Sequence, residues 1–104
     1  MAKENIASPT KEQINEWKAK YGDVFLIEVE DKKGYLRRPN RNELSYAMTI
    51  SEAGKNMLKM NEALLQNCWL GGDEIILKED KYFLAVSGQL AEIIEIAEAK
   101  IKKL

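Results

Sequence analysis

Histidine does not occur in this chain, and cysteine occurs once, at Cys68. The first absence removes the commonest general base, the commonest metal ligand and the usual partner of a nucleophile together. Carboxylate-only or lysine-based catalysis is what stays open to an enzyme. A single cysteine rules out an internal disulfide and fits a reducing compartment. No excess of one charge exists either: 16 basic and 17 acidic residues leave a net charge of −1. No global field therefore draws the chain to nucleic acid or an acidic membrane. No apolar run approaches the ~18 residues of a membrane span, and residues 1–7 lack the apolar core of a signal peptide. With charged residues at 32% of the chain, the expectation is a soluble cytoplasmic protein. Internal repeats, low-complexity tracts and linker-like stretches are missing too.

At 104 residues the length suits one domain with one core. The expected class is α+β: an N-terminal helix, a β-hairpin with a short third strand possible, and then helices that include a long C-terminal one. Residues 1–8 read as a flexible tail and 9–104 as the domain.

The chain is organised around residues 56–73. Met57, Met60, Leu64 and Cys68 recur at steps of three and four, with Leu58, Leu65 and Trp69 in a second apolar row. That is the period of an α-helix. Gly71-Gly72 marks its stop, since glycine tolerates the left-handed backbone that ends helices. Trp69 is expected to be the largest single contributor to the core.

Before it, Ser8-Pro9-Thr10 opens a helix that either Ser8 or Thr10 can cap, with Gln13 completing a capping box. Ile14, Trp17 and Tyr21 form its apolar stripe and Gly22 its end. Residues 24–30 are rich in β-branched and aromatic side chains and predict a strand. Asp31-Lys32-Lys33-Gly34 predicts a turn, and Tyr35-Leu36-Arg37-Arg38 the returning strand, stopped by Pro39. Asn40, with Glu43 three residues on, caps a short helix carrying Leu44, Ala47 and Met48. Residues 51–55, with Gly54, form a joint.

After the glycines, Ile75-Ile76-Leu77 could add a short strand. Glu79 or Asp80 then caps the last helix. Phe83, Val86, Leu90, Ile93, Ile94, Ala97, Ile101 and Leu104 line one side of it, with acids first and lysines last, as the helix dipole favours. Continuous from Asp80, it would run about 36 Å at ~1.5 Å per residue and offer an apolar row to a partner. The alternative is a strand over residues 82–86, with Ser87 capping a shorter helix.

Each chemical candidate has a plainer explanation. Asp73, Glu74, Glu79 and Asp80 could converge on a metal or serve as acid and base, but capping accounts for them. Lys32, Lys33, Arg37, Arg38 and Arg41, with Tyr35 and Leu36 between, make a basic ribbon that could touch nucleic acid or protein. Pairing with Glu28, Glu30 and Asp31, and protection of an edge strand, explain it as well. Cys68 lies on an apolar face without any histidine, so it reads as core. Gly71-Gly72 is far short of a phosphate loop, as no Lys-Ser or Lys-Thr follows. Met48, Met57 and Met60 fill either a core or an adaptable groove.

Three features taken together resemble the small tail assembly chaperones of tailed phages and prophages. They are the strand-turn-strand running into Tyr35-Leu36-Arg37-Arg38-Pro39-Asn40-Arg41 with a short helix after it; Lys59-Met60-Asn61-Glu62-Ala63-Leu64-Leu65 leading to Asn67-Cys68-Trp69-Leu70-Gly71-Gly72-Asp73-Glu74; and the charged end Glu98-Ala99-Lys100-Ile101-Lys102-Lys103-Leu104. The likeness covers most of the chain after Lys11. It implies a non-enzymatic protein without a cofactor that binds a tape measure protein before the tail tube polymerises, often self-associates, and often has a longer frameshifted product. The residues expected to meet the client are Leu90, Ile94, Ile101 and Leu104, with Arg37, Arg38 and Arg41 as polar contacts. The alternative from another class is a nucleic-acid-binding regulator using the basic hairpin; a third is a small enzyme built on the acidic cluster.

Overall fold

The computed structural model describes residues 8–94 and 99–104. The chain is α+β. It runs α1 (Lys11–Tyr21), β1 (Val24–Val29), β2 (Lys32–Arg37), α2 (Arg41–Ile50), α3 (Met57–Cys68), β3 (Trp69–Gly72), α4 (Ile75–Lys78), α5 (Asp80–Ser87) and a 3-10 helix (Leu90–Ile93). The expected tail over residues 1–8 falls almost wholly outside the described residues.

Helix starts follow the capping chemistry. The Thr10 side chain accepts from the Gln13 N–H. Asn40 accepts from Glu43 N while the Glu43 carboxylate accepts from Asn40 N, a complete capping box. Asn56 opens α3 by accepting from Lys59 N. Gly22 ends α1 at φ 87°, a conformation that glycine adopts without steric cost.

The three strands form one antiparallel sheet in the order β1-β2-β3. β1 and β2 pair without a break from Val24↔Arg37 to Val29↔Lys32. The hairpin therefore turns at Glu30 and Asp31, with Glu30 at φ 55°. The turn expected at residues 31–34 is displaced, and Gly34 lies inside β2 opposite Ile27. The reason is a close approach: a Cβ on Gly34 would sit 2.6 Å from the Trp69 ring. Trp69 is half-buried, caps the end of α3 as expected and also begins β3.

β3 is the largest departure from expectation. The third strand is Trp69–Gly72, and the Ile75-Ile76-Leu77 run is a one-turn helix that buries Ile76. Gly34 pairs with Gly72, Tyr35 with Gly71 and Leu36 with Trp69, leaving a bulge. Gly72, at φ 125°, lies so close to β2 that any Cβ there would collide with the Lys33 carbonyl. The Asp73 N–H donates to that carbonyl (2.7 Å), and the Asp73 carboxylate accepts from Lys33 N (2.9 Å).

Phe25, Ile27 and Val29 face one side of the sheet, where they pack on a core of Leu36, Leu65, Cys68, Ile76, Tyr82, Val86, Leu90 and Ile93. Full burial of a leucine contributes ~1.5–3 kcal/mol, so this layer dominates the fold. Trp17 of α1 meets Tyr35 on the other face, with ring centroids 5.9 Å apart. A second cluster, Ala47, Ala63 and Leu64, joins α2 to α3, and residues 51–56 connect these two helices.

The continuous helix from Asp80 to Leu104 is not formed. α5 stops at Ser87, whose Oγ donates back to the Phe83 carbonyl (2.9 Å), and Ile94 is extended at φ −91°, ψ 117°. Leu90 and Ile93 turn into the core instead, completing its cover. The strand alternative for residues 82–86 is likewise replaced by α5. Ala97 of the expected apolar row lies outside the described residues.

Candidate partner-binding surfaces

Arg37 leaves β2 and makes two 2.7 Å bonds to the Glu43 carboxylate, a third of 2.7 Å to the Asn67 carbonyl and a fourth of 3.1 Å to the Arg38 carbonyl. A planar guanidinium suits this fork, where an ammonium would not. The Glu43 hydrogen bond raises the Arg37 pKa against the opposing effect of burial. Arg37 is thus an internal strut that ties β2 to the start of α2 and the end of α3. Arg38 holds Asp23 (3.0 Å) and the Ile93 carbonyl (3.1 Å), and its guanidinium lies 4.7 Å from the centre of the Phe25 ring. Arg41 is exposed at the first position of α2. The three arginines therefore divide into two structural contacts and one surface charge. Lys32 meets Asp31 (3.3 Å) and faces no acid on β1.

The apolar row divides too. Leu90 has no exposed surface, which removes it from any partner surface; the cause is the break after Ser87, which turns it inward. Ile94 is half-buried and packs against both core clusters. Ile101 and Leu104 are fully exposed.

Cys68 is buried in the main core, and burial pushes its thiol up to about 11 despite the nearby Arg37. The acidic residues disperse. Asp73 binds β2, Glu74 pairs with Lys78 (3.2 Å), and Glu79 sits at the junction of α4 and α5. Among the described residues no three acids or cysteines are placed to hold a metal ion, and no helix is long and apolar enough to cross a membrane.

Two of the grooves among the described residues bear on binding. One, of about 340 Å³, runs between α2 and α3 and is lined by Tyr46, Ile50 and Ala63 with Lys59, Glu62 and Gln66. Near it in sequence, Tyr46, Met48, Met57 and Leu58 are exposed. Their signal was present, since Met48 and Met57 were candidates for an adaptable groove. The other groove, of about 580 Å³, follows β1 from Phe25 to Glu30 and is walled by Ala85, Gln89, Glu92 and Ile93. Its sequence signal is the apolar, lysine-free run of β1 itself.

No family model matches the chain, and no curated protein and no solved structure matches it significantly.

Proposed function

We propose that this chain is a non-enzymatic binding protein akin to the tail assembly chaperones it resembles, holding an amphipathic helix of a tape measure protein in the host cytoplasm before tail assembly. The observation that carries the reading is the groove of about 340 Å³ between α2 and α3, with exposed Tyr46 in its wall and Met48, Met57 and Leu58 exposed elsewhere on the same two helices. A groove between two helices that bear exposed apolar side chains suits a partner's apolar face. Methionine adapts to many client shapes because its side chain is unbranched and polarisable. This moves the client surface from Leu90 and Ile94 to the helical pair. The nucleic-acid alternative is weakened by the internal use of Arg37 and Arg38.

Co-expression with a phage tape measure protein tests the reading. The two proteins should co-purify, and Met57→Glu with Leu58→Glu should abolish that while leaving the circular dichroism spectrum unchanged. Undiminished co-purification of the double variant would move the surface elsewhere. Failure of the parent chain to co-purify would remove the client.

A further inference from the structure

Most natural edge strands carry a lysine, a proline or a bulge that deters pairing with another chain. β1, Val-Phe-Leu-Ile-Glu-Val, has none of these, pairs on one side only, and leaves Leu26 48% exposed. The groove of about 580 Å³ runs along this edge. Its lining includes Glu28, Glu30 and Glu92 and not one lysine or arginine. Part of this charge is already engaged: Glu28 lies opposite Lys33 on β2, Glu30 accepts from Tyr82 Oη (3.4 Å) with Lys81 near, and Arg38 closes the Phe25 end. What remains is an apolar, acid-rimmed slot along the open edge of β1.

We propose that this slot is filled by residues 99–104 of a second copy of the chain, added to β1 as a fourth, antiparallel strand. The segment reads Ala-Lys-Ile-Lys-Lys-Leu, and its Ile101 and Leu104 have no cover in the single chain. Side chains alternate between the faces of a strand. On β1, Phe25 and Ile27 face the core and Leu26 and Glu28 face out. With Ile101 opposite Ile27, Lys100 falls opposite Glu28, Leu104 opposite Val24 shares the outer face with Leu26, and Lys103 falls opposite Phe25, at the Arg38 end. The register matches Ile101 with Ile27 and Lys100 with Glu28, while Lys102 lies beside Leu26 on the open face.

The donor is a second copy because of where Ile93 is held. Arg38, bound to Asp23, grips the Ile93 carbonyl at the Val24 end of β1. Antiparallel docking starts residue 99 at the Val29 end, ~17 Å away along the strand. Within one chain, the six steps from Ile93 to residue 99 reach about 20–22 Å, which leaves little chain for the reversal of direction after ~17 Å has been crossed. A neighbouring copy has no such restriction, and reciprocal exchange closes a two-fold dimer. The inference does not depend on the client proposed above.

Light scattering on the full chain across a micromolar concentration series tests it. The mass should rise from one chain to two, and the dimer should weaken as salt is added. Ile101→Glu with Leu104→Glu changes only exposed side chains and should leave a monomer throughout. Glu28→Lys should weaken dimerisation about tenfold, and adding Lys100→Glu to it should restore the parent affinity. A parent chain that stays monomeric overturns the proposal, whether or not hydrogen exchange finds β1 protected by its own tail. So does a dimer indifferent to the Ile101 and Leu104 changes.

Discussion

The two edges of the sheet are built on opposite principles. β3 has four residues, two of them glycine, and is buried almost throughout. Its contact with β2 is so close that Gly72 admits no side chain, and Asp73 locks it with two backbone contacts to Lys33. β1 is longer, apolar, regular and open. By intrinsic preference β1 is the better strand and β3 hardly one at all. Position in the tertiary structure reverses the order of security: the poor strand is enclosed and the good one is available. Strand propensity and edge protection are thus separate properties, and here they fall on different strands.

The strongest way to break this contrast is Gly72→Ala. Strain at φ 125° combines with the collision at Lys33, and a loss of ~3 kcal/mol is expected, read as a lowered midpoint in urea. An alanine tolerated there would mean that β3 is loosely held. Next in size is the response of the enclosed side to alkali through Cys68, which immediately precedes β3. Its thiol keeps its proton to about 11 in the folded chain, against an ordinary value of 9.0. Below 9 both states are protonated and the stabilising effect is complete. As pH rises from 9 to 11 the unfolded chain loses its proton first, so stability should fall by up to ~1.4 kcal/mol per unit. Comparing urea midpoints of the parent and Cys68→Ala across that window isolates the effect, since the variant lacks this slope. The smallest effect belongs to the open edge. Leu26→Lys should change the stability of the single chain by less than ~0.5 kcal/mol, measured by thermal melting at low concentration. A large loss would show that this edge is already covered.

Much of the architecture was legible because short-range chemistry dictates it. Thr10, Asn40 and Gly22 mark helix ends through their own hydrogen bonds and backbone freedom. The β-branched run of β1 and the apolar position of Cys68 were equally plain. The misreadings share a cause. Tyr82, Val86, Leu90 and Ile93 keep helical spacing across the interruption after Ser87 because all four face the same core. Periodicity reports the face and cannot see the break. Trp-Leu-Gly-Gly carries no strand signal of its own; contacts with β2, far away in sequence, make it one. Arg37 and Arg38 looked like surface charge because their acceptors, Glu43, Asn67, Asp23 and Ile93, meet them only after folding. Tyr46 and Ile50 share a groove with Lys59, Glu62 and Ala63 only because tertiary packing brings α2 and α3 together.

Glu43 serves two masters. The same carboxylate that fastens the first turn of α2 also grips Arg37, which reaches on to the last turn of α3. Unwinding α2 from its beginning would strand a guanidinium in a half-enclosed place and loosen a neighbouring helix at once. The helical pair and the hairpin are accordingly committed to rise and fall together. One carboxylate thus joins the start of α2 to β2 and, through Arg37, to the end of α3.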